Sequence, residues 1–290
     1  MAAAILWLMG LCGATSAADG LFGQGPYACP SGFSERKGEL EARAGYLWGT
    51  NQIRFRDGDN SNLPAGQKEV SLESPIFGIV GETFRSRDFA LRAQGWINLP
   101  QSRRSDWLLE PTARLWETEA RYLAADVSLI YHLGLGGMPY SAGLAAGYRY
   151  NDFDYESLPG RAPAGNYEDH IHVHIPYVGV FYGNGNFAGT VVRLDVLISP
   201  LTMSRIDSEQ HLQGVTTQVT GQSLTGLWFE SFFAWYWPMS QNARFGAFVN
   251  YNFLELSGGA TVRRTGASTR FSMDSTTHLV TAGLTAAYSF

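Results

Sequence analysis

The sequence has little cysteine and, beyond its N-terminus, no long apolar segment. Its two cysteines are Cys12, in an apolar N-terminal stretch, and Cys29. If that stretch is removed as a leader, one cysteine remains, which excludes an intramolecular disulfide in the mature chain. No run of 18 or more apolar residues occurs downstream, so the sequence offers no helical membrane span.

Charged residues are also scarce, at 16% of the chain, and the formal net charge is −5. Because there is no basic stripe, nucleic acid is not an expected partner. Hydrophobic residues nevertheless make up 45% of the chain. They are spread by alternation along many segments instead of being gathered into spans, which is typical of transmembrane β-barrels.

Residues 1–18 are predicted to be a secretory signal peptide. An apolar core at 5–13 precedes the small residues 14–18, which suit a cleavage site. The usual Lys or Arg before the core is absent. Residues 19–290 are then predicted to form a single outer-membrane β-barrel, because no linker or internal repeat divides them.

The last thirteen residues carry the strongest strand signal. Counting back from Phe290, every second residue is apolar, and small or polar residues lie between them. Such period-2 alternation, ending in aromatic residues, is typical of the closing strand of a bacterial outer-membrane barrel. The predicted lipid-facing set is Val280, Ala282, Leu284, Ala286, Tyr288 and Phe290.

Similar runs predict ten strands, and the fold class is therefore all-β, a ten-stranded antiparallel transmembrane β-barrel. Short turns at 86–87, 136–139, 183–185 and 238–242 are expected in the periplasm with both termini, and longer loops outside the cell. The predicted strands are about 39–54, 69–85, 88–100, 116–134, 140–155, 168–182, 186–204, 217–237, 243–256 and 278–290. The predicted loops are 55–68, 101–115, 156–167, 205–216 and 257–275.

Charged residues of both signs fall on the inward faces of neighbouring strands. Buried charges need partners, so these are predicted to form pairs across a lumen filled by side chains. That crowding makes a narrow pore the least favoured function. The residues concerned are Glu41, Arg43, Arg92, Asp126, Arg149, Arg193, Asp195 and Glu230.

Two predicted loops carry residues suited to chemistry. One contains Arg104, Asp106 and Trp107, and the other contains Asp207, Glu209 and His211. On an extended segment, residues 207, 209 and 211 project from one face, so the Glu209 carboxylate can orient the His211 imidazole to activate water. The alternative is an ordinary solvated loop with no catalytic role.

The layout resembles the omptins, outer-membrane endopeptidases with ten strands. The resemblance lies in 95–99 (Gly-Trp-Ile-Asn-Leu), 143–148, 175–180 and the two loops just described. By resemblance, His211 is the catalytic base, Glu209 its partner and Asp106 the remaining member of a second-loop aspartate pair. Asp207 matches a residue that recognises a basic side chain of a peptide substrate.

Two positions depart from the omptin pattern. Arg104 stands where the first aspartate of the second-loop pair is expected, and Glu209 replaces an aspartate. The resemblance therefore implies either a surface endopeptidase that cleaves near basic residues or a non-catalytic barrel that binds a partner or is purely structural. No cofactor is expected, and the chain is expected to be monomeric.

The resemblance also implies contact with outer-membrane lipid, including lipopolysaccharide, at basic residues of the outer barrel face. This sequence has Asp152, His172 and His174 at those positions. His170, His172 and His174 also alternate, as a partial metal site would. A polar segment above the membrane is the favoured interpretation, and no metal site is predicted.

Overall fold

The computed structural model describes residues 38–56, 66–84, 89–109, 112–133, 140–158, 165–187, 190–212, 215–240, 242–264 and 267–290. The predicted signal peptide lies outside the described residues. The strands are β1 (Gly38–Arg56), β2 (Gly66–Phe84), β3 (Phe89–Asn98), β4 (Gln101–Leu109), β5 (Thr112–Leu133), β6 (Tyr140–Ser157), β7 (Gly165–Phe187), β8 (Thr190–Leu212), β9 (Val215–Pro238), β10 (Ala243–Arg264) and β11 (Ala267–Ser289). Among these residues, no helix is long and apolar enough to cross a membrane.

The strands form one antiparallel sheet that closes on itself. Each strand pairs with its neighbours in chain order, and β1 pairs with both β2 and β11. β3 and β4 share one position in the ring, since both lie between β2 and β5. Residues Leu99 and Pro100 separate them, and proline cannot donate a ladder hydrogen bond. Eleven strand segments therefore occupy ten positions, which confirms the predicted ten-stranded barrel.

The two ends of the described chain meet where the barrel closes. Gly38 N donates to Phe290 O at 3.1 Å, and Phe290 N donates to Gly38 O at 3.0 Å. Gly45 lies opposite Gly283 in the same strand pair. A Cβ atom on Gly283 would come within 2.2 Å of Ala44 O, so the backbones approach there as only glycine permits. We call this the terminal end of the barrel and the opposite end the extended end.

An apolar belt surrounds the half of the barrel nearest the terminal end. Outward side chains there are aliphatic or aromatic and exposed, and their alternation confirms the faces predicted for the terminal strand and for β1. Trp48 and Tyr148 lie at one border, and Tyr288 and Phe290 lie at the other. The belt includes Leu40, Phe77, Ile97, Val127, Leu144, Val178, Ile198, Phe233, Val249 and Leu284.

Inside the belt, the interior is filled by paired charges and aromatic rings. Arg43 binds Glu41 at 2.6 Å, and Arg92 binds Asp195 at 3.0 Å. Tyr177 donates to Asp126 at 2.8 Å. The contact between Arg92 of β3 and Asp195 of β8 confirms the predicted pairing of inward charges across the lumen. Arg43 instead binds a carboxylate of its own strand, and Asp126 binds a hydroxyl group. Three further ion pairs join Arg149 to Glu230, Arg193 to Asp195, and Arg92 to Glu82.

The strands continue far beyond the belt at the extended end, which corrects several predicted loops. Residues 101–109 form β4, β8 continues to Leu212, and most of 257–275 belongs to β10 and β11. The predicted turn at 183–185 lies within β7. A strand of 24 residues measures about 80 Å, whereas about 10 residues span a membrane. Outward side chains here are polar, and apolar residues such as Ile171, Ile206 and Leu256 point inward instead. The sequence pattern of a lipid-facing strand, with its apolar residues outward, is therefore absent beyond the belt.

Candidate functional site on the outer wall

A bulge in β8 decides which face of the barrel carries the predicted site. On the belt side of the bulge, Asp195 and Ser199 point inward. The pairing of β8 with β9 shifts between Ser199 and Thr202, and beyond it Thr202 and Ser204 point inward. Pro200 lies within the bulge, a position at which strands accept proline. The inward residues thus change from odd to even numbers, and odd-numbered residues after the bulge face outward.

Asp207, Glu209 and His211 accordingly share one face, as the sequence predicted, and that face is the outer wall. Glu209 Oε1 lies 3.1 Å from His211 Nε2, and both side chains are 46% exposed. The carboxylate can therefore orient the imidazole. The structure brings together the predicted base and its partner, on the outer wall at the extended end.

Strand β9 adds two side chains to this pair. His211 and Thr216 are directly opposite in the β8–β9 ladder, and Thr216 Oγ1 lies 2.9 Å from His211 Nδ1. Gln218 is opposite Glu209, and its Nε2 donates to Glu209 Oε2 at 3.5 Å. Both imidazole nitrogens of His211 thus have a partner. Sequence reasoning missed both β9 residues because 205–216 was expected to be a loop.

Asp207 is engaged by a cation of its own strand. Arg205 Nε donates to Asp207 Oδ2 at 2.6 Å, and Arg205 Nη2 donates to Asp207 Oδ1 at 3.3 Å. A two-pronged guanidinium–carboxylate contact of this kind is the one a basic substrate side chain would make. The carboxylate predicted to recognise a basic residue therefore already binds one.

Asp106 lies elsewhere on the wall. Its backbone pairs with Glu69 of β2 and Leu115 of β5, and its side chain is outside the described part of the structure. Three strands, β5, β6 and β7, lie between β4 and β8 in the ring, so four interstrand spacings separate β4 from β8. At about 4.8 Å per strand, the two strands are separated by about 19 Å along the wall. The structure does not place Asp106 beside the His211 pair.

Carboxylates continue from the pair along the outer wall. Glu209 is opposite Glu168 of β7, which is opposite Glu156 of β6, which is opposite Glu119 of β5. All four side chains are at least partly exposed. Arg121 binds Glu119 at 2.9 Å and offsets the charge at the far end of the row. Like charges at directly opposed positions repel, so Glu156 and Glu168 extend the negative field of Glu209 beside the pair.

His170, the first histidine of the alternating set, lies two residues along β7 from Glu168, opposite Asp207 of β8 and Asp154 of β6. His170 Nδ1 is 2.6 Å from Asp154 Oδ1, and its Nε2 is 3.0 Å from Glu168 Oε1. Partial burial alone would lower the pKa of His170. The hydrogen bond and charge of Asp154, with the charge of Glu168, outweigh burial and raise that pKa above its ordinary value.

The positions expected to contact lipopolysaccharide lie nearer the belt. His172 Nδ1 is 2.8 Å from Asp152 Oδ1 and 2.9 Å from the Tyr150 hydroxyl. His174 Nδ1 contacts the Tyr148 hydroxyl. Within the described residues, no three His, Cys, Asp or Glu side chains are arranged to hold a metal ion.

The interior at the same height contains a buried network that sequence reasoning missed. Lys68 of β2 forms an ion pair with Asp169 of β7, and both side chains are almost fully buried. Ser208 donates to Asp169 Oδ1 at 2.6 Å, and Lys68 Nζ lies 3.2 Å from the centroid of the Tyr167 ring. Burial lowers the pKa of Lys68 to about 8, although Asp169 opposes that shift.

A closed antiparallel ring with an apolar outer belt and an interior filled by charged pairs and packed rings defines the class of the protein: it has the outer-membrane type of β-barrel fold. No protein-family model matches the sequence, and comparison with curated proteins found no match. Similarity to solved structures is therefore the only comparison that bears on this chain.

The outer-membrane protease OmpT from Escherichia coli is similar in structure, with a TM-score of 0.73 and 14% sequence identity over 88% of this chain and 97% of that chain. The translocator domain of the autotransporter NalP from Neisseria meningitidis has a TM-score of 0.42 at 13% identity, over 89% of this chain and 90% of that chain. Neisserial surface protein A has a TM-score of 0.32 at 11% identity, over 87% and 97%. The likeness to OmpT shows the fold alone.

Proposed function

We propose that this chain is a Gram-negative outer-membrane barrel of the omptin type, with a hydrolytic site on its outer wall at Glu209 and His211. The apolar belt and the similarity to OmpT support the location. The strands project far beyond the belt at one end only, as the extracellular side of such barrels does. The extended end is then outside the cell, and both termini are in the periplasm.

The observation that carries the proposal is the 3.1 Å contact between Glu209 Oε1 and His211 Nε2, on a surface that solvent reaches. A histidine held by a carboxylate can accept a proton from water or a hydroxyl group near neutral pH. Hydrolysis of a peptide or ester bond is the reaction class that requires such a base.

The electrostatic field of the wall favours cationic substrates. Glu168 and Glu156 extend the negative charge of Glu209 over two neighbouring strands. A peptide with a basic residue near the scissile bond fits this field, as the omptin resemblance implies. Arg205 competes for Asp207, so a basic substrate side chain must displace it from that carboxylate.

The test is cleavage of a peptide library containing Arg and Lys sites by the full chain refolded in detergent, with and without lipopolysaccharide. Replacing the base, His211→Ala, should reduce the rate by about 10²–10⁴-fold. Thr225→Val, an exposed change on the outer face of β9 near the belt, serves as the control and should leave the rate unchanged. Absence of cleavage, or cleavage indifferent to His211→Ala, rejects the hydrolytic site.

A second candidate function is a non-catalytic barrel whose outer wall binds a cationic partner. It is favoured by Arg205, which already binds the Asp207 carboxylate that would otherwise recognise a basic substrate side chain. If this function is correct, the protein cleaves nothing in the library, and basic peptides bind with an affinity that falls with salt. Replacing Glu168 and Glu209 by Gln should then weaken binding, whereas His211→Ala should not.

A further inference from the structure

The Thr216 hydroxyl contacts the imidazole nitrogen of His211 that Glu209 does not contact. The imidazole lies between Glu209 Oε1, 3.1 Å from Nε2, and Thr216 Oγ1, 2.9 Å from Nδ1. Carboxylate, imidazole and hydroxyl thus follow one another within hydrogen-bonding distance. This order is the arrangement by which a base activates a hydroxyl nucleophile and is itself oriented by a third group.

We propose that Thr216 is the nucleophile of the outer-wall site and that Glu209, His211 and Thr216 form an acyl-transfer triad. The inference rests on the proposed hydrolytic function and deepens it, because it replaces direct attack by water with attack by the protein. The substrate class is an ester or amide whose acyl or leaving group is neutral or cationic, since the neighbouring glutamates repel anions.

Each member of the triad has a distinct role. In the proposed triad, His211 accepts the Thr216 hydrogen bond at Nδ1 and donates from Nε2 to Glu209, since a carboxylate can only accept. Gln218, which donates to Glu209 Oε2, fixes the rotation of that carboxylate from the facing strand. Because Glu209 and His211 lie on β8 while Thr216 and Gln218 lie on β9, the strand ladder itself sets the geometry.

The first half of the reaction forms an acyl-protein. Thr216 Oγ1 attacks the substrate carbonyl carbon while its proton passes to His211 Nδ1. The tetrahedral intermediate collapses, the bond to the leaving oxygen or nitrogen breaks, and the leaving group takes the proton from His211. In the second half, water attacks the threonyl ester and gives a proton to His211. The bond between the acyl carbon and Thr216 Oγ1 then breaks, His211 returns the proton to Oγ1, and the carboxylic acid leaves.

Several features make Thr216 accessible for this role. It is the second residue of β9 and is exposed on the outer face. The partner histidine is 46% exposed, so a substrate can approach the pair from solvent. The inward residues of β8 at this level, Ser208 and Gln210, contact the interior instead and take no part.

The experiment that tests the triad is rapid-mixing hydrolysis of a cationic p-nitrophenyl ester by the full chain in detergent. An accumulating acyl-protein predicts a burst of about one p-nitrophenol per protein, followed by slower turnover. Thr216→Val should abolish the burst and lower the rate by about 10³-fold, whereas Thr216→Ser, which keeps the hydroxyl, should retain both. Thr225→Val is the matched control, and heat-modified mobility on gels verifies that each variant is folded.

A covalent label locates the nucleophile independently of turnover. A fluorophosphonate or β-lactone probe should add its mass to the peptide containing Thr216, and Thr216→Val and His211→Ala should both prevent labelling. Hydrolysis that depends on His211 but shows no burst, no label and no loss in Thr216→Val overturns the triad and leaves the proposed function standing. Absence of any hydrolysis overturns both.

Discussion

Lys68 of β2 and Asp169 of β7 form an ion pair inside the extended end of the barrel, although 101 residues separate them in the chain. Their strands are not neighbours in the ring, so the pair crosses the interior. Ser208 and Tyr167 join it from β8 and β7. The pair therefore ties together opposite parts of the wall well beyond the apolar belt.

Replacing one partner of this ion pair should destabilise the barrel more than replacing both partners. Lys68→Met leaves Asp169 buried with an uncompensated charge, which costs about 3–5 kcal/mol. The double variant with Asp169→Leu should recover most of that loss, because two apolar side chains replace two buried charges. Urea unfolding of the two single variants and the double variant measures the free energies. Additive losses in the double variant would contradict the expected coupling.

The stability of the protein should also rise in mildly alkaline solution. The pKa of Lys68 is lowered to about 8 by burial, whereas an unfolded lysine titrates near its ordinary value of 10.5. Between these values the unfolded chain holds more protons than the folded chain, so the free energy of unfolding increases with pH. Urea midpoints at pH 7.5 and pH 10 test this. The rise should be absent in the double variant lacking Lys68 and Asp169.

Removing Arg205 should strengthen recognition of basic substrates. Arg205→Gln frees the Asp207 carboxylate, to which the guanidinium is now bound. The Arg205 side chain is 59% exposed, so water screens its contact with Asp207 and the contact is weak. The expected gain is therefore modest, about threefold to tenfold in kcat/KM for peptides with Arg beside the scissile bond. Asp207→Asn should lower the same quantity. Equal effects on peptides with neutral residues at that position would show that Asp207 does not select the substrate.

Cysteine labelling should distinguish the two faces of β8 at the extended end. In a background with Cys12 and Cys29 replaced by Ser, Asp207→Cys lies on the outer wall and Gln210→Cys points inward. A bulky maleimide should modify residue 207 quickly and residue 210 slowly, since Gln210 is buried. The opposite order would mean that the bulge at Pro200 does not set the face.

Much of the barrel could be predicted from the sequence because alternation is strong where one face meets lipid. The faces of β1, β3, β6, β10 and the closing strand follow directly from their residues, as does the pairing of inward charges across the lumen, for example Arg149 with Glu230. The parts beyond the belt could not be predicted in this way. There the outward side chains are polar and apolar residues such as Ile206 point inward. Residues 205–212 form a strand, but Ile206 and Leu212 are their only apolar residues, which is too few to give a periodic signal.

For the candidate site, the sequence by itself determined that Asp207, Glu209 and His211 share one face, because side chains alternate along any extended segment. Only the tertiary structure decided which face that is. A single bulge at Pro200 inverts the alternation of β8, and without it the three residues would point into the barrel with Asp195 and Ser199. Pairing with β9 likewise supplies Thr216, a residue that local sequence could not connect to His211.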